Sequence, residues 1–247
     1  KLSTLDPEFF SVTYGAGGST RDGTLQTVLA LAESGTSTAP HLSFGGDDGG
    51  FIRELLSQYQ SAGIRRIVAL RGDVPSGTGP SSHIYADELV NFIRQETGDH
   101  FHIEVAAYPE VHPDSTSPNS DLAYFKQKVD AGADSAITQY FYNADAYFHY
   151  IDTVTALGVD IPIVPGIMPI TNVDTLLRFS DKCGADIPRW IRQQLMQYRD
   201  DRASLQSFTT DLVTSLCARL LEGGAPGLHF YTLNQSLPTL RIFRQLS

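Results

Sequence analysis

The sequence predicts an α/β protein of the (β/α)8 TIM barrel class, with the first strand and most of the first helix missing from this chain. Seven short runs rich in β-branched and aromatic residues alternate with segments that carry one apolar stripe, a pattern typical of parallel βαβ units. Most of the striped segments end on a glycine, where a helix C-cap belongs. With 247 residues and 41% hydrophobic content, the chain is long enough for one large barrel.

The predicted strands follow one another along the whole chain. They are FFSVTYG (9–15), TAPHLSF (38–44), RRIVALRGD (65–73), HIEVAAYPE (102–110), SAITQYF (135–141), PIVPGIMP (162–169) and LHFYTLN (228–234). The glycines that close the striped segments are Gly35, Gly63, Gly98, Gly132, Gly158, Gly184 and Gly223. Gly184 is followed by a segment without strand character, in which Pro188 indicates the first turn of an extra helix.

Seven strands are one fewer than a closed barrel needs, and the opening KLSTLDPEFF is similar to the end of a helix that runs into a strand. We therefore expect that a strand and most of a helix precede Lys1. The alternative fold is a doubly wound open sheet. It lacks its usual support, because no G-x-G-x-x-G follows the first visible strand and YGAGGST is only a weak glycine-rich turn.

Composition narrows the classes of ligand and compartment. The net charge of −10 argues against broad nucleic-acid binding, so an anionic ligand would need local donors. No run approaches the roughly 20 apolar residues of a membrane span, and no signal peptide opens the chain, so we expect no membrane association and a cytoplasmic protein. Cys183 and Cys217 lack metal-site spacing and are expected to be free thiols.

In a barrel of this kind, chemistry takes place at the carboxyl ends of the strands. The candidate residues at these ends are Thr13, Tyr14, His41, Ser43, Arg71, Asp73, Tyr108, Glu110, His112, Thr138, Gln139, the 165–169 turn, Tyr231, Thr232 and Asn234. So many polar and aromatic ends predict a site for a large polar ligand. Because Arg71-Gly72-Asp73 directly follows a buried strand, we interpret it as part of this site and not as an adhesion loop.

Two other chemistries are known at the strand ends of barrels. A Schiff-base mechanism needs a lysine at a strand end, whereas Lys1, Lys126, Lys128 and Lys182 fall in helical or terminal segments. A metal-dependent hydrolase stays open, because His41, Asp73, Glu110 and His112 are all possible metal ligands. His100 and His102 lie at the start of their strand, away from these residues.

Segments from the whole chain, in order, resemble the methylenetetrahydrofolate reductase family. The most specific are VTYGAGG, LRGD, YPEVHP, KVDAGAD followed by ITQ, and HFYTLN. The resemblance implies one flavin-binding barrel catalytic domain over residues 1–247. It also implies that FAD takes hydride from NAD(P)H and passes it, in a ping-pong reaction, to 5,10-methylenetetrahydrofolate, giving 5-methyltetrahydrofolate for one-carbon metabolism and methionine biosynthesis. The oligomeric state stays open, with a homo-oligomer as one alternative.

The resemblance also implies the residues that hold each ligand. FAD contacts are carried over to Thr13, Tyr14, Ala16, His41, Arg71, Gly72, Asp73, Tyr85, Ala86, Tyr108, His112, Asp121 and Lys128. Folate contacts are carried over to Asp73, Gln139, Gln193 and Gln235. Asp73 and Gln139 are the expected catalytic residues, with Gln139 against both folate and nicotinamide. The family lacks a metal, and none is expected here.

This chain departs from the family pattern at several places. Gln235 stands where an arginine would contact the folate tail, and Tyr124 and Gln127 stand where bacterial members can carry Asn and Arg. The glutamate that serves the family as general acid belongs to the first strand, which we expect to precede Lys1. A non-catalytic barrel that binds flavin or folate is therefore the alternative function.

Overall fold

The computed structural model describes residues 1–13, 21–44, 49–71 and 85–246. A 3₁₀ turn covers Leu2–Leu5. The strands are β1 (Phe10–Val12), β2 (Thr38–Leu42), β3 (Arg66–Ala69), β4 (His102–Ala107), β5 (Ser135–Thr138), β6 (Ile163–Val164), β7 (Gly166–Ile167) and β8 (His229–Phe230). The helices are α1 (Arg21–Glu33), α2 (Gly49–Ser61), α3 (Ala86–Thr97), α4 (Pro118–Asp130), α5 (Ala144–Ala156), α6 (Val173–Cys183), α7 (Arg189–Gln197), α8 (Arg202–Glu222) and α9 (Ser236–Leu246).

All seven predicted strand runs contain a strand, and the sixth run contains two. Pro165 separates β6 from β7, because proline has no N–H with which to continue a ladder. Its carbonyl oxygen instead accepts a hydrogen bond from the His229 N–H at 3.0 Å. β7 then pairs with β8 in parallel, with Gly166 opposite His229 and Ile167 opposite Phe230.

The sheet confirms a parallel α/β fold. Its strand order is β1-β2-β3-β4-β5-β6, and β1 pairs with β2, β2 with β3 and β3 with β4 in parallel. Among the described strands, this order follows the chain without the reversal that marks a doubly wound sheet. The order agrees with the barrel prediction, whereas closure by a further strand stays a prediction.

The chain divides into two compact units, each with its own core. The N-terminal unit comprises residues 5–106 and 124–136, and the C-terminal unit comprises residues 1–4, 107–123 and 137–247. Fully buried side chains of the N-terminal unit include Leu42, Ile52, Ile67, Leu89 and Ile103. Those of the C-terminal unit include Phe141, Ile167, Ile191, Val213 and Leu220.

All seven predicted cap glycines lie within two residues of the end of a helix, and six of them have a positive φ. The seventh, Gly223, is the C-cap of α8, as the sequence predicts, and the positive φ lies one residue later. Gly224 has φ 91°, whereas Gly223 has φ −79°. Gly223 is needed for a different reason, because a Cβ there would lie 2.2 Å from the Phe148 ring. The extra helix after Gly184 is confirmed as α7, with Pro188 at its N-cap.

Both cysteines are free thiols, as expected, and Cys217 is buried in α8. Within the described ranges, no helix has the length and apolar character needed to cross a bilayer.

Candidate active site

The turn that follows β4 carries two of the predicted site residues. The rings of Tyr108 and His112 meet edge to face, with their centroids 4.5 Å apart. Between them Val111 has φ 70°, a left-handed conformation that is a genuine outlier for a β-branched residue. Such backbone strain persists where surrounding contacts enforce it and is concentrated at functional sites.

The contacts of this turn define the tautomer of His112. The Asp114 N–H donates to His112 Nδ1 at 3.0 Å, so Nδ1 is an acceptor and the neutral ring carries its proton on Nε2. The Asp121 carboxylate, in the first turn of α4, accepts from the backbone N–H of His112 at 3.1 Å and from the Ser115 hydroxyl at 2.9 Å. Asp121 therefore holds the turn in place, and a direct contact between Asp121 and a cofactor stays a prediction.

Gln139 lies at the next strand end and joins the same site. The backbone N–H of Gln139 donates to the Ala107 carbonyl at 2.8 Å, and its side-chain Oε1 accepts from the backbone N–H of Tyr140 at 3.0 Å. Since this contact orients the amide, the Gln139 NH₂ group remains as a donor pair. Gln139, Tyr108 and Glu110 line one cavity of about 10 Å³, the size of a single water site.

Hydrogen bonds lock three strand ends behind Gln139. The Gly166 N–H donates to Thr138 Oγ1 at 2.9 Å, and the Tyr231 hydroxyl donates to the Thr138 carbonyl at 2.7 Å. Thr138 and Tyr231, both candidate site residues in the sequence, thus hold β5, β7 and β8 together. Burial raises the pKa of the Tyr231 hydroxyl, which keeps it protonated as a donor.

The carboxyl group of Glu110 is the unusual acid of this cavity. Burial raises its pKa to about 7, although the Asp186 N–H, which donates to Oε2 at 2.8 Å, partly offsets the shift. Sequence reasoning placed Glu110 among the strand-end candidates but could not detect this shift, because the shift depends on the surrounding side chains.

We expect the stability of the protein to depend on the protonation of Glu110. Because its folded-state pKa is raised from 4.5 to about 7, its contribution is fully present below pH 4.5 and is lost as the pH rises through about 7. Glu110→Gln should therefore unfold with nearly wild-type free energy near pH 4 and be more stable than wild type near pH 8. The gain should be about 1 kcal/mol, since solvent at the partly exposed carboxyl reduces the penalty. Urea titrations at both pH values measure it, and an equal effect at both would contradict the assignment.

In the N-terminal unit, two predicted contacts adjoin the end of β4 and the start of α3. The Lys128 ammonium donates to the Ala106 carbonyl at 2.5 Å. The Tyr85 ring stacks on Tyr124 with a centroid distance of 6.4 Å and an interplanar angle of 6°, and both side chains are about half exposed, at 50% and 52%. Tyr124, treated in the sequence as a departure from the family pattern, is thus part of an exposed aromatic pair.

The remaining predicted site residues lie on several strands and helices, and four of them fall outside the described residues. Thr13 is exposed just after β1, His41 is half-buried in β2, Arg71 follows β3, and Ala86 is the first residue of α3. Tyr14, Ala16, Gly72 and Asp73 lie outside the described residues. Gln193 on α7 and Gln235 before α9 are exposed residues of the C-terminal unit. Among the described residues, no cluster of three or more His, Cys, Asp or Glu side chains could hold a metal ion.

A parallel sheet with Tyr, His, Glu and Gln side chains at its strand ends defines a class of protein. It is the class of α/β proteins that bind ligands at the carboxyl ends of parallel strands. The model of one family, methylenetetrahydrofolate reductase, matches residues 1–247. The chain belongs to this family.

Curated relatives agree with that assignment. The chain is 39% identical over 237 residues to the 5,10-methylenetetrahydrofolate reductase of Escherichia coli, a match that covers 96% of this chain and 79% of the relative. It is 36% identical to methylenetetrahydrofolate reductase (NADH) 1 of Arabidopsis thaliana, with 100% of this chain and 44% of the plant protein covered.

A solved structure supports the fold. It is a Clostridium thermocellum protein described as binding two copies of 5-methyl-5,6,7,8-tetrahydrofolic acid, and it matches with a TM-score of 0.56 and 16% identity. The match covers 98% of this chain and 97% of that protein. At this identity, the likeness shows the shared fold.

Proposed function

We propose that this protein reduces 5,10-methylenetetrahydrofolate to 5-methyltetrahydrofolate, with NAD(P)H as hydride donor and FAD as the intermediate carrier in a ping-pong reaction. The observation that carries the proposal is the cavity shared by Gln139, Tyr108 and Glu110, beside the His112 turn. It brings together the YPEVHP and ITQ segments, two of the most specific parts of the family resemblance.

The described residues fit FAD by the chemistry of their donors. A neutral His112 can donate from Nε2, and Lys128 and Arg71 are cations suited to pyrophosphate or flavin oxygens. The stacked Tyr85–Tyr124 pair offers a flat aromatic surface. When bound, FAD would accept hydride from the nicotinamide and return it to the folate.

Gln139 is the residue that we assign to the substrates. Its amide can donate from the NH₂ group while Oε1 is held by the Tyr140 N–H, so it can orient a heterocycle that offers acceptors. Glu110 keeps a proton below about pH 7, which leaves the cavity beside Gln139 without a negative charge. The two groups together place a neutral acid and an amide donor pair at this strand end.

Spectroscopy and two separate half-reactions test the proposed function. The purified protein should show the visible absorbance of oxidised flavin, lose it on anaerobic addition of NADH or NADPH, and recover it with 5,10-methylenetetrahydrofolate. A folded preparation that neither contains nor takes up FAD would contradict the proposal. A protein whose flavin is reduced but not reoxidised by the folate would support the alternative, a non-catalytic flavin- or folate-binding protein.

Gln139→Ala should slow both half-reactions while FAD stays bound. Loss of one hydrogen bond to each substrate, of about 1 to 3 kcal/mol, corresponds to a decrease of roughly 5- to 150-fold in each rate. Stopped-flow absorbance measures the two reactions separately. Gln58→Ala, on the surface of α2, is the matched control and should leave both rates unchanged. Release of FAD from Gln139→Ala would show that the position has been misassigned.

A further inference from the structure

A short segment of the C-terminal unit, residues 184–188, joins α6 to α7, and we call it the connecting segment. Its side chains alternate in burial, because Ala185 and Ile187 are buried whereas Asp186 between them is exposed. Two apolar side chains thus hold the segment against its unit. Its last residue, Pro188, is the N-cap of α7.

The connecting segment lies against the turn that follows β4, which we call the β4 turn (residues 108–113). At the start of the segment, Gly184 has φ 73°, and a Cβ added there would lie 3.4 Å from the Val111 carbonyl oxygen. Two residues later, the backbone N–H of Asp186 donates to Glu110 Oε2 at 2.8 Å. The segment and the turn are therefore joined both by close backbone packing and by a hydrogen bond to a carboxyl group.

The connecting segment determines where α7 begins. The Arg192 N–H donates to the Pro188 carbonyl at 3.0 Å, so the first turn of the helix continues directly from the segment. On α7, Ile191 and Leu195 are fully buried and Gln193 is exposed. Because successive residues of a helix are turned by about 100°, Gln193 lies on the face opposite to these apolar side chains. A shift of the segment would therefore move the face that carries Gln193.

The Glu110 carboxyl lies where a negative charge is unfavourable. Its cavity of about 10 Å³ has the size of a single water site, and burial raises the pKa of Glu110 to about 7. The hydrogen bond from the Asp186 N–H lowers this pKa, and the Asp186 charge raises it. Other ionisable groups lie on the elements around the cavity, namely Tyr108 and His112 on the β4 turn, Tyr140 after β5, and Asp181 and Cys183 on α6. Burial also raises the pKa of Tyr140, which keeps its hydroxyl uncharged. Ionisation of Glu110 thus adds a second negative charge beside Asp186.

We propose that Glu110 is a positioning residue, which fixes the connecting segment and α7 by accepting from the Asp186 N–H and thereby sets the affinity of the site for the folate substrate. This inference rests on the proposed function, because it takes Gln193 of α7 as a folate contact. Glu110 acts through the helix that it anchors, and Gln193 makes the contact with the ligand.

Protonation of Glu110 couples this anchoring contact to pH. Release of the connecting segment hydrates the carboxyl and returns its pKa from about 7 toward the ordinary value of 4.5. Protons therefore bind more tightly to the docked state of the segment than to the released state. Docking is strongest below pH 4.5 and weakens as the pH rises through about 7. The folate affinity is expected to follow the same course.

Hydrogen exchange of the Asp186 amide tests the anchoring contact directly. In the FAD-loaded wild type, this amide should be protected at about pH 6, and its protection factor, corrected for the intrinsic rate, should decrease severalfold at about pH 8. Glu110→Ala should lose most of the protection at both pH values. Glu110→Gln keeps an oxygen acceptor but cannot ionise, so its protection should be equal at both. An Asp186 amide that exchanges alike in the wild type and in Glu110→Ala would overturn the proposal.

Calorimetry with tetrahydrofolate, which carries no one-carbon unit to react, measures the effect on the substrate. At about pH 6, Glu110→Ala should bind tetrahydrofolate roughly 3- to 10-fold more weakly than the FAD-loaded wild type, the loss expected for one hydrogen bond. Glu110→Gln should restore the wild-type affinity at about pH 6 and keep it at about pH 8, where the wild type weakens. In turnover, the KM for the folate should rise in Glu110→Ala while kcat changes little.

A matched variant separates the anchoring contact from a general effect of charge. Glu222→Ala removes an exposed carboxyl at the end of α8 in the same unit. It should keep the amide protection and the folate affinity of the wild type, and equal losses in Glu222→Ala and Glu110→Ala would overturn the proposal. If Glu110→Ala does not fold, the wild type and Glu110→Gln still decide the question, because an equal pH dependence of the two proteins would overturn the proposal.

Exchange and binding together distinguish a failure of this inference from a failure of the proposed function. If the wild type binds and reduces the folate but neither amide protection nor affinity responds to Glu110→Ala, the inference is wrong and the proposed function stands. If the amide responds but the FAD-loaded wild type binds no folate, the proposed function fails. The anchoring contact is then supported, and its role in folate affinity is overturned.

Discussion

Glu104→Ala is expected to destabilise the folded protein by about 3 to 5 kcal/mol, the cost of breaking a buried ion pair. Glu104 is 1% exposed in β4, where it pairs with Arg66 of β3 and accepts a hydrogen bond from the Ser135 hydroxyl. Truncation leaves the Arg66 guanidinium with the exposed Glu8 as its carboxylate partner and the Ser135 hydroxyl without its carboxylate acceptor. His102, whose Nε2 lies 2.7 Å from Ser135 Oγ, loses the same network.

Urea unfolding followed by circular dichroism measures this loss. The control is Asp130→Ala in the same N-terminal unit, since Asp130 pairs with Lys126 one turn earlier on the exposed face of α4. An exposed pair of this kind contributes at most about 1 kcal/mol. Similar losses of unfolding free energy in the two variants would show that the buried Glu104 network contributes no more than an exposed ion pair.

Gly166→Ala should be the most disruptive small substitution in the C-terminal unit. A Cβ at this position would lie 2.1 Å from the Thr138 carbonyl oxygen and 2.6 Å from Tyr231 Cε2. Backbone cannot move aside as a flexible side chain can, so β7 must shift and weaken the bonds that hold Thr138 and Tyr231. We expect a loss of about 3 kcal/mol or more, the upper end for overpacking.

The control for Gly166→Ala is Gly227→Ala, just before β8, where a Cβ would meet nothing within 4 Å. Its free energy of unfolding should stay within about 0.5 kcal/mol of wild type. Because Gln139 directly follows Thr138, any folded fraction of Gly166→Ala should also show slower half-reactions. A Gly166→Ala protein as stable as Gly227→Ala would mean that the strand ends are packed less tightly than in this structure.

Local patterns in the sequence were enough to predict most of the helices and strands. The seven strand runs, the seven glycine caps and α7 depend on properties of neighbouring residues, namely β-branching, helical spacing and the backbone freedom of glycine. The division of the sixth strand run at Pro165 follows from the missing N–H of proline, a property that the sequence alone shows. The positive φ of Gly224 could not be assigned from the sequence, because the adjacent Gly223 is equally permissive and only the Phe148 ring distinguishes the two.

Local sequence pattern predicted only part of the candidate site. The strand-end rule selected Tyr108, Glu110 and Gln139, since parallel strands end at the same edge. The raised pKa of Glu110 and the pairing of Tyr85 with Tyr124 needed the packed structure, because burial and ring stacking join residues far apart in the chain. The larger cavity of the C-terminal unit, lined by residues of α8 and α9, is the extreme case. Arg202 and Arg241 lie on different helices with no motif between them, and only the packing of those helices places both charges on one cavity.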